Sequence, residues 1–149
     1  MSIGEFCTRQ VAILTQQESI LEAAKVMRAQ HVGDVVIVEQ RDQQTVPLGI
    51  LTDRDIIIEV IAKQISLDSV TAGDIMSPNL LTVRQSDTVA DAIRKMRNKG
   101  VRRIPVVNDQ GGLEGIFSLD DLLELLAEQL NDSVAIVHKE TDKEQEQRL

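Results

Sequence analysis

GILTDRD, at residues 49–55, and GIFSLDD, at residues 115–121, are one phrase written twice: a glycine, two apolar residues, a hydroxyl, two variable positions and an aspartate. Duplication of so short a phrase asks whether the whole chain is duplicated, because a missed repeat misreads the fold. Subtracting 69 pairs Gly73 with Gly4, Ala92 with Ala23, Met96 with Met27, Arg97 with Arg28, Val101 with Val32 and Val107 with Val38. From there the offset becomes 66, pairing Gly115 with Gly49, Ile116 with Ile50 and Asp121 with Asp55. The change falls between QRDQQTVP and NDQGG, two polar, turn-like segments where extra residues cost little.

Each half then reads in the same order. A short apolar run, Val11 to Leu14 or Leu80 to Val83, leads into a helix with an acidic start. Its positions Ile20, Ala23, Ala24 and Met27, or Val89, Ala92, Ile93 and Met96, follow the spacing of one helical face and are expected to be core. Two β-branched runs joined by a polar loop come next: Val35 to Val38 and Pro47 to Leu51, then Arg103 to Val107 and Leu113 to Phe117. A second, very apolar helix closes each half, IIIEVIAKQ or LLELLAEQL.

The order β-α-β-β-α, twice, predicts an α/β (α+β) fold of two packed units. Their apolar closing helices are left with a face for self-association. Repeat 1 is expected over residues 3–63, a linker over 64–72 (QISLDSVTA) and repeat 2 over 73–130. Residues 131–149 are charged and read as a solvated or disordered tail, or as an extension of the last helix.

The totals narrow the function. A chain of 149 residues buries roughly 70% of the surface exposed by its unfolded form, enough for a core without staples. A net charge of -8, a pI of about 4.7 and 1% aromatic residues argue against a phosphate-tracking or base-stacking surface, hence against nucleic acid. One cysteine, Cys7, and two histidines, His31 and His138, give no disulfide and no zinc-ligand cluster, which fits a reducing cytoplasm. No leader pattern opens the chain and no run approaches the ~20 apolar residues of a membrane span. Neither histidine lies in a recognisable nucleophile motif, so an enzyme is not expected. Cys7 reads as a small, buried apolar residue.

T-D-R-D and S-L-D-D have the form of helix capping boxes, in which the hydroxyl and the acid three residues later each cap the other's backbone amide. Both copies also stand where a strand hands over to a helix, which is where ligands settle in α/β layers. An aspartate there repels phosphate but accepts hydrogen bonds from the vicinal hydroxyls of a ribose, with the neighbouring Thr52 or Ser118 reaching a sugar or phosphate oxygen. Phosphates then need cations, for which Arg54, Arg102 and Arg103 are available. Arg102 and Arg103 open the central strand of the second half, where the first half has Gly33 and Asp34. The GIFSLDD site is therefore expected to hold two arginines on its own neighbouring strand, while the GILTDRD site looks to Arg54 or across a cleft.

With AGDIMSPNLLTV (72–83), DTVADAIRKM (87–96) and GVRRIPVV (100–107), the repeated phrases make residues 3 to 130 resemble a tandem pair of CBS domains. Such a pair is a Bateman module, and the resemblance is to the stand-alone bacterial type. The first half matches more loosely at its start, with Cys7 where Met76 stands and Arg9 where Pro78 stands. The resemblance implies two β-α-β-β-α repeats related by pseudo-two-fold symmetry, and a signal-transducing regulatory module rather than a catalyst. It implies adenosine-containing ligands (AMP, ADP, ATP, NAD or S-adenosylmethionine) in clefts between the repeats, a flat homodimer formed through the helices, and a separate regulated protein as partner. Carried over, Thr52 with Asp55 and Ser118 with Asp121 are the hydroxyl and the ribose acid of two sites. Adenine contacts are implied near Asp34 and Val35 and near Arg103, Ile104 and Pro105, with Thr8 and Ser77 lining the strand entrances. The competing expectation is a dimeric assembly module with no physiological nucleotide.

Overall fold

The structure, a computed structural model, describes residues 1–148. The first half contains β1 (Ile13–Thr15), α1 (Ile20–Gln30), β2 (Asp34–Arg41), β3 (Gln44–Thr52) and α2 (Asp53–Ile56), which continues as a π-helical turn over Ile57–Ile61. The second contains α3 (Ala72–Ile75), β4 (Val83–Arg84), α4 (Val89–Lys99), β5 (Arg103–Val107), β6 (Leu113–Ser118) and α5 (Leu119–Arg148).

Each half builds one three-stranded sheet with its second strand in the middle: β1-β2-β3 and β4-β5-β6. The middle strand runs parallel to the first and antiparallel to the third in both sheets. A register irregularity falls between Ile37 and Val38 and again between Val106 and Val107, the same place at an offset of 69. The duplication thus extends to a defect in the ladder.

Helices α1 and α4 start at Ser19 and Thr88, whose hydroxyls accept from the amides of Glu22 and Asp91 at 3.1 Å. They end on residues in the left-handed conformation, His31 and Gly100. Between these limits Ile20, Ala23 and Met27, and Val89, Ala92 and Met96, are buried, while Ala24 and Ile93 pack at the margin. The helical face expected from periodicity is the core face in both repeats.

One element differs from its sequence reading. QRDQQTVP is mostly strand, with Gln40–Arg41 and Gln44–Pro47 extending the hairpin around a two-residue turn at Asp42 and Gln43. Those two residues take φ of 50° and 65°, as a tight hairpin requires. The shorter hairpin of the second half instead turns on Asn108, whose side-chain oxygen accepts from the amides of Gln110 and Gly112 at 2.9 Å. Of the readings open for the charged tail, the structure takes the extension of the last helix: α5 runs without a break to Arg148, and Leu149 lies outside the described residues. No glycine or proline interrupts it, and Arg148 pairs with Glu144 one turn back at 3.3 Å.

The halves are joined by exchanging their leading segments. Ile3 and Gly4 donate to the carbonyls of Asp87 and Gln85, and Ala72 and Gly73 donate to those of Glu18 and Gln16, the same pair of bonds at an offset of 69. Ile3 is buried and Phe6 and Cys7 half-buried in the core of the second sheet, while Ala72, Ile75 and Met76 pack in the core of the first. Each lead-in then crosses the partner's third strand. Ser77 donates to the Ile50 carbonyl, and Thr8 exchanges both bonds with Ile116. That crossing explains the glycine of the repeated phrase. A Cβ on Gly49 would lie 2.7 Å from Met76 Sδ and 2.8 Å from the Ser77 carbonyl oxygen. One on Gly115 would lie 2.6 Å from the Thr8 carbonyl oxygen and 2.8 Å from Cys7 Sγ. Burial also pushes the Cys7 thiol up, against the pull of Arg9, so it is poor in thiolate.

Candidate ligand-binding site

Both repeated phrases form the boxes their spacing predicts. Asp55 N–H donates to Thr52 Oγ1 at 3.1 Å, and Thr52 N–H donates to Asp55 Oδ2 at 2.9 Å. Asp121 N–H donates to Ser118 Oγ at 3.1 Å, and Ser118 N–H donates to Asp121 Oδ2 at 2.9 Å. Thr71 and Asp74 make the same box at the start of α3, away from either phrase. Capping alone therefore does not mark a site; what surrounds the cap does.

Around Thr52 and Asp55 lies a cleft of about 590 Å³, within the ordinary range for a small-molecule pocket. Its walls come from both halves. Ile50, Thr52, Asp53, Arg54 and Asp55 belong to the β3–α2 corner; Ser77, Asn79, Leu80 and Leu81 to the second lead-in; Lys99 to Arg103 to the α4–β5 corner. Four cations (Arg54, Lys99, Arg102, Arg103) face two carboxylates, so a protein of net charge -8 concentrates positive charge here. Leu80, Leu81, Val101 and Ile50 supply apolar wall.

The two boxes differ in what they leave free. Asp121 Oδ2 also accepts from the Ser118 hydroxyl at 3.0 Å, and Oδ1 accepts from Thr8 Oγ1 at 3.2 Å. Asp55 uses Oδ2 in its box, and its Oδ1 has no hydrogen-bond donor among the described residues. The repeat offsets carry the difference further. Lys99, Arg102 and Arg103 correspond to Gln30, Gly33 and Asp34, and Arg54 corresponds to Asp120. The second corner thus has a carboxylate already engaged, and two acids and two uncharged residues where the first has cations.

Asp34 and Arg103, equivalent residues of the two repeats, meet across the pseudo-two-fold axis with Arg103 Nε 3.5 Å from Asp34 Oδ1. Burial raises the Asp34 carboxyl above its ordinary range; Arg103 pulls it back and Asp53 pushes it further up.

The structure brings Thr52, Arg54, Asp55, Ser77, Arg102 and Arg103 into one cleft. Arg54 and, across the cleft, Arg102 and Arg103 are the cations to which the GILTDRD corner was expected to look. Arg103 is opposite Ser118 in the β5–β6 ladder, but the halves face each other, so both arginine side chains wall the Thr52–Asp55 cleft. Ser118, Asp121 and Thr8 meet one another outside this lining. Val35, Ile104 and Pro105 are fully buried, so their side chains offer no surface for adenine. Asp34 enters only as the partner of Arg103. Lys99 and Asn79 were missed; the signal for Lys99 was its position beside Gly100, where a helix C-terminus turns towards the β5 corner.

A CBS-domain family model matches residues 3–62 and again residues 72–128. The chain belongs to the CBS-domain family. Among the relatives of this CBS pair, an uncharacterised protein of Methanopyrus kandleri is 39% identical over 125 residues, 84% of this chain and 62% of that protein, so the chain spans less than two thirds of it. The CBS domain-containing protein YhcV of Bacillus subtilis is 36% identical over 122 residues, 81% of this chain and 82% of that one. The CBS domain protein PAE2072 of Pyrobaculum aerophilum, solved in complex with AMP, superimposes with a TM-score of 0.73 at 29% identity, covering 85% of this chain and 99% of that one. Among the described residues of this CBS pair, no helix is long and apolar enough to cross a membrane.

Proposed function

We propose that this CBS pair is a regulatory sensor whose Thr52–Asp55 cleft takes an adenosine-containing ligand: AMP, ADP or ATP first, with NAD and S-adenosylmethionine as alternatives. The observation that carries the reading is the conjunction in one cleft of a carboxylate oxygen that accepts no hydrogen bond among the described residues and four surrounding cations. Asp55 Oδ1 accepts the ribose hydroxyls, Thr52 and Ser77 add hydroxyl contacts, and Leu80, Leu81 and Val101 receive the adenine face. Arg103, Arg102, Lys99 and Arg54 neutralise phosphate. A related CBS pair solved with AMP supports this class of ligand.

The second corner, with Asp121 held by Ser118 and Thr8, takes a nucleotide weakly or not at all. The module transmits occupancy by altering how its two halves sit, to a separate partner protein or to a second copy. Ile57, Ile58 and Ile61, with Leu123 and Leu126, give the helices an exposed apolar face for that self-association. Calorimetric titration with AMP, ATP, NAD and S-adenosylmethionine tests the proposal: heat from at least one, saturating at one ligand per chain, is expected. No heat from any of them at millimolar concentration overturns it in favour of an assembly module without nucleotide.

A further inference from the structure

Asp34 and Arg103 hold the same position in the two repeats, at an offset of 69, and each opens the middle strand of its sheet. Arginine at both positions would bring two like charges together on the pseudo-two-fold axis; the acid in the first repeat makes the meeting an ion pair. With side chains 30% and 19% exposed, Arg103 and Asp34 form the least exposed ion pair among the described residues, so salt and water screen it less than the others. The contact is one of charge. At 3.5 Å neither side chain makes a hydrogen bond to any described residue, which leaves the N–H donors of Arg103 for another acceptor.

Arg103 lines the cleft and Asp34 stands outside the lining, so the guanidinium lies between an acid of the other repeat and the ligand space. Arg54, Lys99 and Arg102, the other cations of the cleft, make no ion pair among the described residues. Arg103 is the one whose charge is held in check. A phosphate in the cleft can take two of its N–H groups in parallel, but has to draw the guanidinium from Asp34 to do so. The cost falls on a half-buried carboxylate whose ionised form burial and Asp53 disfavour and Arg103 sustains. We propose that Asp34 is a specificity-determining residue of the cleft: it competes with the ligand's phosphate for Arg103 and so limits the advantage of a phosphate-bearing ligand over a phosphate-free one. This role rests on the nucleotide reading above and names the residue that sets how much the cleft rewards a phosphate.

Calorimetric titration of ATP and of adenosine into four proteins tests it: the parent, Asp34→Asn, Arg103→Gln and the double variant. Asparagine matches aspartate in size, and circular dichroism checks that each variant is folded; Asp34→Ser, equally uncharged, repeats the measurement with a smaller side chain. Asp34→Asn is expected to tighten ATP on the order of 10-fold, a usual size for coupled groups, and adenosine by less. In the Arg103→Gln background the same substitution is expected to change ATP affinity by less than about twofold. An equal gain in both backgrounds means that Asp34 acts through the overall charge of the cleft and overturns the inference, as does no gain, or a loss, with Arg103 in place. Those results leave the nucleotide reading standing. A parent that binds neither ATP nor adenosine overturns the nucleotide reading, and this inference with it.

Discussion

Replacing Asp55 by Asn separates the two roles assigned to the repeated phrase. The asparagine side-chain oxygen can still accept the Thr52 amide that Asp55 Oδ2 accepts at 2.9 Å, so the capping box survives and stability changes by less than about 0.5 kcal/mol. What disappears is the charge. A hydrogen bond to an ionised group contributes about 1.5–3 kcal/mol and a neutral one about 0.5–1.5, so roughly 1–2 kcal/mol of ribose binding is lost. That weakens AMP on the order of 10-fold. Asp55→Ala removes the acceptor as well. It loses about 1 kcal/mol of cap, or roughly 2–4 °C in melting temperature for a chain of this size, and weakens AMP on the order of 100-fold. Calorimetric titration and differential scanning calorimetry on both variants read the two effects independently, with Asp121→Asn as the contrast that leaves AMP affinity unchanged. If Asp55→Asn binds AMP as the parent does while Asp55→Ala only melts earlier, the phrase is a cap and nothing more.

Further outcomes follow from other residues of the cleft and the crossing. Arg103→Gln is expected to weaken ATP on the order of 10-fold and flatten its salt dependence while leaving adenosine unaffected; equal losses for both ligands would remove Arg103 from the phosphate end. For Asp34, whose carboxyl burial raises above 3.8, the folded chain holds the proton more tightly than the unfolded one. Its contribution is therefore present at low pH and lost as pH climbs from 3.8 through the raised folded value. Asp34→Asn removes that slope, so the variant gains on the parent across this window in denaturant unfolding at stepped pH; parallel curves would contradict the assignment. Gly115→Ala forces a methyl against the Thr8 carbonyl oxygen at 2.6 Å and is expected to lose about 1–3 kcal/mol in the same unfolding assay, whereas an unchanged midpoint would mean the crossing segment is loosely held.

The repeat, its strand order and its helical core faces were legible because they rest on local periodicity, which the sequence carries residue by residue. Ile20, Ala23 and Met27 are buried for the reason their spacing implies. The exchange of lead-ins was not legible, since nothing local in IGEFCTRQ states that Ile3 belongs to the other sheet. Which phrase Arg103 stands nearer was not legible for the same reason. Adjacency in the β5–β6 ladder puts it opposite Ser118, but a pseudo-two-fold axis between the halves turns its side chain towards Asp34 and the Thr52 corner. The glycines of the phrase carried a trace of this arrangement, as positions where another backbone passes too close for a Cβ. The choice between tail and helix extension for residues 131–148 stayed open because their charge suits a solvated coil and a solvated helix alike.

One cleft, at the first phrase, is proposed to hold the nucleotide. Amide chemical shifts of isotope-labelled protein titrated with AMP test it most directly. Saturating shifts are expected at Thr52, Asp55, Ser77 and Arg103, with Ser118, Asp121 and Thr8 left in place. Shifts centred on Ser118 and Asp121 instead, or none anywhere, would contradict it.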